Sequence, residues 1–365
     1  MKILSLYNGM SCAMLAAERV GFKVDRFVSF EIDKHANFIT KKNYPFAEMY
    51  EDVFEGDYTK FKGFDILMGG SPCTHWSIAN KNRETTSSGV GFELFMQYVR
   101  ALKESEPKYF LYENNKSISK EIQKEITKML GVEPIMIDSK LVSAQQRQRL
   151  YWTNIPNVEQ PEDKGIYLKD ILGLETEEPL LNKIVMTKQD TPVKVRKNYI
   201  DSKELSLFLK YHKEKSGKTL KMIASDCNEK LTKVEHWFRI DKSFAIPSEN
   251  VWFDLKKSIN ITTDLYDKAI TEFEIKKSNF DMSKRIYHIN GKHPTLTTLS
   301  GGGQRKNITD GKDLFYLNPI HCERLQTVPD NFTEGVSDRQ RFKMLGNGWT
   351  VDVIAHILSF IKEEK

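Results

Sequence analysis

The chain has 365 residues, 39% hydrophobic and 29% charged, with a net charge of +5 and a mean hydropathy of -0.50. These totals argue against a disordered or membrane-embedded chain: the apolar share can fill a sizeable core, and no run nears the ~18 apolar residues of a membrane span. The length allows two domains or one domain with a large insertion. Cys12, Cys73, Cys227 and Cys322 lie far apart with no CxxC pair. A zinc site or disulfide framework is therefore not expected, no metal is expected, and a reducing, cytoplasmic setting is the default. Met1 leads straight into the strand-like residues 2–7, so no secretory leader is expected.

The first 150 residues alternate strand-like and helix-like runs. Strands are predicted over 3–7, 27–30, 66–68, 109–112, 135–137 and 150–152, and helices over 11–20, 35–43, 92–105 and 119–130. This rhythm predicts an α/β fold, a parallel sheet with helices on both faces. Ligands of such sheets bind beyond the carboxyl ends of the strands, where strand order reverses. Asn8-Gly9, Glu31, Gly69-Gly70-Ser71-Pro72-Cys73 and Glu113-Asn114 all fall at predicted strand ends.

After about Pro156 the rhythm changes. Residues 183–260 carry 17 Lys/Arg against 10 Asp/Glu, a surplus of seven in a chain whose total surplus is five. Positive charge is thus concentrated there, as suits a surface facing phosphates. Within it, 219–226 and 232–240 read as short helices, with Leu220, Ile223 and Ala224, then Val234, Trp237 and Phe238, at helical spacing. A helix over 202–213 would supply a third wall. The pattern suits a helix-turn-helix insertion, and equally a solvated helical hairpin packed on the sheet. The chain closes with a helix over 349–362, whose Val351, Val353, Ile354, Ile357, Leu358 and Ile361 form a broad apolar stripe.

Three segments carry reactive groups. Gly69-Gly70-Ser71-Pro72-Cys73 holds a thiol behind a rigid proline, and Tyr112-Glu113-Asn114 puts a carboxylate at a strand end. Gln145-Gln146-Arg147-Gln148-Arg149 presents two guanidinium groups on one face if extended. Singly, each has an ordinary reading: a buried small cysteine, a surface glutamate, a charged strand edge. Together and in this order they resemble the DNA (cytosine-5)-methyltransferase family. The likeness continues in Ser5-Leu6-Tyr7-Asn8-Gly9-Met10, Phe30-Glu31-Ile32-Asp33 and Glu51-Asp52-Val53, which are similar to the family's cofactor motifs. Glu323-Arg324-Leu325-Gln326 with Pro329-Asp330-Asn331-Phe332, and Gly346-Asn347-Gly348, are similar to its last two. The catalytic half also resembles the de novo branch, through its Leu-Ser-Leu-aromatic-x-Gly opening, Ser71-Pro72-Cys73, Val142-Ser143-Ala144 and Trp349-Thr350-Val351; the basic insertion does not. Two departures stand out: Asn115 replaces the usual Val, and Met10-Ser11-Cys12 replaces glycines in the first loop.

The resemblance implies a Rossmann-like S-adenosylmethionine-dependent sheet and transfer of a methyl group to C5 of a flipped cytosine in a specific DNA sequence. Cytosine C5 is not nucleophilic on its own, so a thiolate must first add to C6. The family pattern gives that role to Cys73, with Glu113 at N3, Arg149 at O2 and Arg147 in support. It implies S-adenosyl-L-methionine held by Tyr7, Asn8, Gly9, Met10, Glu31, Ile32, Asp52, Val53, Gly70, Pro72 and Asn347, with S-adenosyl-L-homocysteine as product. Leu94 joins this set or is an ordinary core leucine. Double-stranded DNA would meet Ser77, the glycine-rich loop with Thr297, Gly302, Gly303, Gln304 and Arg305, and Lys233, His236 and Arg239 of the insertion.

The expected organisation is a catalytic domain over 1–160, a smaller target-recognition region over 161–306 with the helix-turn-helix-like insertion at about 200–260, and a returning segment over 307–365. A monomer of prokaryotic or viral origin, serving restriction-modification or a related role, completes the expectation. An RNA methyltransferase of the same fold lacks support, because the Cys-Phe-Thr tripeptide usual in the tRNA-directed branch is absent. A silent DNA-binding regulator is disfavoured by the intact Cys73, Glu113, Arg147 and Arg149.

Overall fold

A computed structural model describes residues 1–77, 83–173, 184–187, 193–241, 243–276, 285–298, 307–311 and 314–362. It divides into two compact units, one of Met1–Thr187 with Met282–Lys365 and one of Lys188–Asp281.

The larger unit is built on a seven-stranded sheet. In chain order its elements are β1 (Lys2–Leu6), α1 (Cys12–Val20), β2 (Arg26–Phe30), α2 (Lys34–Asn43), β3 (Glu48–Tyr50), β4 (Ile66–Gly69), α3 (Val90–Ser105), β5 (Tyr109–Asn115), α4 (Lys120–Leu130), β6 (Ile135–Asp138) and β7 (Gln148–Thr153). The strand order is β3-β2-β1-β4-β5-β7-β6. The strands from β1 to β5 run parallel, but β7 is antiparallel to both β5 and β6. The sheet is therefore mixed, not wholly parallel.

Its residues alternate between two cores, as the period-two geometry of strands requires. Ile3, Phe27, Ile66, Met68, Leu111 and Tyr151 join one core with the buried faces of α1 and α2. Leu4, Leu6, Val28, Phe30, Leu67, Phe110, Tyr112 and Trp152 join the other with α3 and α4. The α4 helix shows why such elements form. Ser119 caps it by accepting from Ile122 N at 3.2 Å, and Gly131 ends it at φ 71°. Ile122, Ile126 and Leu130, four apart, supply its buried stripe.

Beyond the sheet come α5 (Leu168–Leu172) and β8 (Ile184–Thr187). The smaller unit follows, with β9 (Val193–Arg196), α6 (Ser202–Ser216), α7 (Leu220–Asp226), α8 (Leu231–Trp237), α9 (Glu249–Ser258), α10 (Asp267–Thr271) and β10 (Phe273–Lys276). It has its own core, including Leu205, Leu209, Ile223, Val234, Trp237, Trp252 and Leu255. The chain then returns through β11 (Arg285–His288), β12 (Asn307–Thr309) and β13 (Leu314–Tyr316), which with β8 make a four-stranded sheet. The expected region 161–306 thus does not form one unit, since both of its ends belong with the larger one.

Last come α11 (Pro319–Leu325), α12 (Asp338–Asn347) and α13 (Val351–Leu358). Val351, Val353, Ile354, Ile357 and Leu358 are all buried in the first core beside α1. Arg341 pairs with the fully buried Glu323 at 3.0 Å, and Glu323 also accepts from Asn331 N and Thr333 N. The Glu323–Phe332 stretch is therefore scaffolding that sets where α12 and the segment after it lie. No helix among the described residues is long and apolar enough to cross a membrane.

Candidate active site

The site gathers at the carboxyl ends of β1, β2, β4 and β5. After β1 the chain turns through Tyr7, Gly9 and Ser11 at φ of 54°, 56° and 67°. Only glycine takes that left-handed conformation without a steric penalty. Asn8 offsets the strain at Ser11: its Nδ2 donates to Ser11 Oγ at 2.9 Å and to Thr40 Oγ1 at 3.2 Å. Glu31, just past β2, accepts from Gly9 N at 2.7 Å and from Asp33 N at 2.8 Å. Burial pushes the pKa of this carboxyl up, and the backbone N–H groups pull it partly back. Tyr7 donates its hydroxyl to the carbonyl of Leu94, which ties the first loop to α3.

Tyr7, Gly9, Glu31, Asp33 and Leu94 line a cleft of about 350 Å³, together with Asn8, Ile32, Asp52, Val53, Gly70, Pro72 and Asn347. Ile32 exposes 77% of its surface and Phe54 47%, unusual for apolar side chains in a polar setting. They give the cleft exposed apolar surface beside the Glu31 carboxylate. Met10 departs from expectation. It is buried in the core, 1% exposed, and is not among the residues lining the cleft.

The thiol-bearing loop follows β4. Ser71 Oγ and Tyr112 OH are 2.6 Å apart, and Asn114 Nδ2 donates to the Ser71 carbonyl at 3.2 Å. The backbone of Cys73 opens a single 3-10 turn, Cys73–His75, while its side chain lies outside the described residues. Glu84 fastens the far side of the turn. It accepts from Trp76 Nε1 at 3.2 Å and from Gly91 N at 3.1 Å, and lies 3.3 Å from His75 Nδ1.

The carboxylate of Glu113 sits in the same cleft. The antiparallel register of β7 places Tyr151 opposite Glu113 and Arg149 opposite Asn115. Arg149 Nε stands 2.9 Å from Glu113 Oε1, and Trp349 Nε1 donates to Oε2 at 3.0 Å. Gly70 makes room: a Cβ there would stand 2.9 Å from Glu113 Oε2 and 2.7 Å from its carbonyl oxygen.

Arg147 plays another part. It is 3% exposed and donates to the carbonyls of Leu296 at 3.2 Å, Gly346 at 3.1 Å and Gly348 at 2.9 Å. Its guanidinium thus clasps three backbone carbonyls, while the residue also lines the cleft beside Glu113 and Arg149. The segment it holds is tightly fitted. A Cβ at Gly346 would stand 2.7 Å from the Thr297 carbonyl oxygen, and one at Gly348 2.8 Å from Met10 Cε. Gly346→Ala is expected to cost about 1–3 kcal/mol by overpacking, measurable as a lowered urea midpoint with unchanged slope.

The residues expected at DNA are scattered. Ser77 is half-buried and outside the cleft lining, and Thr297 is half-buried with its carbonyl against Gly346. Lys233 pairs with Glu229, His236 Nδ1 lies 2.8 Å from the Ser243 carbonyl, and Arg239 donates to Ser243 Oγ at 2.9 Å. Gly302, Gly303, Gln304 and Arg305 lie outside the described residues. Among the described residues no group of three or more His, Cys, Asp or Glu could hold a metal ion.

Comparison with known proteins decides the family. The model of the C-5 cytosine-specific DNA methylase family matches residues 1–363. The chain belongs to that family. It is a DNA (cytosine-5)-methyltransferase, of a family that takes the methyl group from S-adenosylmethionine. It is 27% identical to the orphan methyltransferase M.SPRI of Bacillus phage SPR, an alignment covering 98% of this chain and 96% of that one. It is 32% identical to the type II methyltransferase M.FnuDI of Fusobacterium nucleatum over 47% of this chain and 54% of that one. In fold it is similar to the Entamoeba histolytica methyltransferase EhMeth, with a TM-score of 0.57 at 14% identity, over 99% of this chain and 97% of that one. The Dnmt2 methyltransferase of S. pombe matches with a TM-score of 0.54 at 14% identity, over 98% and 97% of the two chains. These relatives are phage, bacterial and Dnmt2 proteins, and none is of the de novo branch.

Two contacts in this methyltransferase site escaped the sequence. Trp349, read as the start of a docked helix and as part of the Trp349-Thr350-Val351 likeness but given no role in the site, reaches Glu113. Its signal was an aromatic residue directly after Gly346-Asn347-Gly348. Asp33 and Lys343 form an ion pair at the cleft mouth. Nothing in either neighbourhood announces a partner some 310 residues away.

Proposed function

We propose that Cys73 is the nucleophile of this methyltransferase, with Glu113 and Arg149 acting on the cytosine ring. The observation that carries this reading is the convergence of Gly70, Ser71, Pro72 and Thr74, which flank Cys73 in the chain, with Glu113, Arg149 and Trp349 on one cleft. The Cys73 thiolate would add to C6 of a cytosine taken out of the duplex. Glu113 faces the ring nitrogen N3 and supplies a hydrogen bond or proton as charge develops there, and Arg149 stabilises O2. Once C5 carries the methyl group that S-adenosylmethionine would supply, loss of the C5 proton to a base would expel the thiolate and leave 5-methylcytosine. Tritiated S-adenosylmethionine and mixed-sequence duplex DNA test the reading: label should appear on 5-methylcytosine, and its absence on every duplex tried would overturn it. A competing RNA hairpin should not take up label.

The cleft suits S-adenosylmethionine, which when bound supplies an electrophilic methyl group on sulfur. Glu31 is fixed by two backbone N–H groups and can accept from ribose hydroxyls, while Ile32, Val53 and Phe54 offer apolar surface to the adenine. The left-handed φ of Gly9 lets the first loop pass close beneath the methionine end. Glu31→Gln should weaken cofactor binding about 10- to 100-fold, the worth of charge-assisted hydrogen bonds. The pH dependence has a definite sign. The ionised carboxylate accepts from the hydroxyls, and its pKa is already raised by burial. Affinity should therefore fall as pH drops through that raised pKa and level off above it, with protons released on cofactor binding in that window. Calorimetry in buffers of different ionisation enthalpy would read both.

Sequence-specific duplex DNA is the proposed partner, and a monomer in a bacterial cytoplasm the proposed working form. Its relatives include both orphan and type II methyltransferases, so both a solitary and a restriction-modification role fit. Likeness to the de novo branch is confined to short motifs. Sequencing methylated cytosines in cells expressing the chain would give the target.

A further inference from the structure

Methyl transfer does not require the ion pair of Asp33 and Lys343, yet both residues line the proposed cofactor cleft. Asp33 caps α2, its Oδ1 accepting from His35 N at 2.9 Å and Ala36 N at 3.3 Å. Its other oxygen, Oδ2, lies 2.5 Å from Lys343 Nζ. Lys343 reaches it from α12, where it shares a face with Asn347 one turn on, and Asn347 lines the cleft too. The lysine side chain is 48% exposed, so water and salt reach the pair. The far end of α2 is pinned separately, by Lys42 Nζ donating to the Glu334 carbonyl at 2.9 Å and Asn43 Nδ2 to that of Phe332 at 3.0 Å. The helix therefore has anchors that do not depend on the ion pair.

The charges of the cleft are unevenly matched. Among the described residues that line it are five carboxylates, Glu31, Asp33, Glu51, Asp52 and Glu113, and three cations, Arg147, Arg149 and Lys343. Arg149 is paired with Glu113, and Arg147 holds backbone carbonyls. The four carboxylates that follow β2 and β3 are thus offset, among these lining residues, by Lys343. Burial pushes the Asp33 carboxyl up, but the Lys343 ammonium and the two capping N–H groups pull it below the usual range, so it is ionised at neutral pH. A cleft with an excess of one sign favours ligands of the other sign over neutral ones. S-adenosylmethionine and its product differ in just this respect. The sulfonium is positive, and the thioether left after methyl transfer is neutral.

We infer that Asp33 and Lys343 set how strongly the cleft prefers the cationic cofactor to its neutral product. Asp33 adds to the negative field that favours the sulfonium, and Lys343 tempers it. The two act on the charge of the ligand and not on the reacting atoms, so they determine specificity and are not catalytic residues. This rests on the cleft being the cofactor site, and adds to that reading the source of its discrimination. Its consequence is that Lys343 keeps the product competitive, and so leaves the enzyme more open to inhibition by S-adenosylhomocysteine than the bare carboxylates would.

The test is direct binding of S-adenosylmethionine and of S-adenosylhomocysteine to the full chain by calorimetry, read as the ratio of the two affinities. Lys343→Gln should raise that ratio in favour of the methylated cofactor by about 2- to 5-fold, the worth of one unit charge acting through a mostly aqueous medium. Asp33→Asn should lower it by a similar factor, because asparagine keeps the helix cap and removes only the charge. Lys343→Arg should keep the wild-type ratio. Both shifts should shrink in ~1 M salt, where the Debye length falls to about 3 Å. A purely structural role would weaken both ligands together and leave the ratio unmoved. Unchanged ratios in Lys343→Gln and Asp33→Asn would therefore overturn the inference, as would shifts of the same sign, and either result leaves the cofactor site standing. If the wild type binds neither ligand, the reading of the cleft has failed, and the inference with it.

Discussion

Cys73→Ser is expected to reduce methyl transfer by on the order of 10⁴-fold or more, the scale on which enzymes lose turnover when a nucleophile is removed. The hydroxyl that replaces the thiol is far less acidic and far less nucleophilic toward an electron-poor ring carbon. The change is expected to spare the cofactor cleft, because Gly70 and Pro72 line it and hydrogen bonds of Ser71 with Tyr112 and Asn114 hold the loop. Cofactor affinity should therefore stay within about twofold of wild type, on the rule that sites without a shared interaction add independently. A duplex carrying 5-fluorocytosine sharpens the measurement. Release of the thiolate requires loss of the C5 proton, and fluorine in its place blocks that step. Wild-type protein should accumulate a covalent adduct stable to denaturant, and the serine variant none. Full turnover in the variant would assign the nucleophile elsewhere.

Glu113→Gln comes second, with an expected loss of about 10²- to 10⁴-fold in kcat, the usual worth of a positioned acid or base. The geometry says why an amide cannot substitute. Arg149 Nε and Trp349 Nε1 both donate to this carboxylate, one to each oxygen. An amide turns its own N–H toward one of those donors, and leaves the half-buried Arg149 without a counter-charge. The change should fall on kcat with the KM for DNA nearly constant, since the group engages the ring and not the duplex backbone. Trp349→Phe keeps the ring and removes the donor, so it should show a weaker version of the same pattern. A loss confined to KM would show that Glu113 holds substrate and takes no part in the chemistry.

Much of this was legible before any coordinates. Ile3, Leu4 and Leu6 announced a strand buried on both faces, and Glu113 and Glu31 stood at predicted strand ends where open sheets bind ligands. The direction of β7 was missed, although the chain contained the clue. Only nine residues separate β6 from β7, too few for the dozen or more that a parallel crossover needs. The edge strand β3 is three residues long and half-exposed, too short for a periodic signal. Arg147 was unreadable for a different reason. Its acceptors are main-chain carbonyls at 296, 346 and 348, and a carbonyl leaves no mark in a sequence. Met10 follows the same logic, because part of what it packs against, Gly348, lies more than three hundred residues further along the chain.

That late arrival bears on the order in which the protein is made. Synthesis delivers roughly 5–20 residues per second, and early segments can fold while later ones are still being added. The β1–β7 sheet and its cleft are complete in sequence by Thr153, yet the indole that steadies Glu113 is almost two hundred residues further on. The carbonyls that Arg147 clasps, and the helix that covers α1, are later still or close to it. A ribosome-bound chain can therefore own a folded sheet without owning an organised active site. Methylating capacity should switch on abruptly once residues 346–358 have been made, so that a chain abandoned before them leaves the genome unmarked.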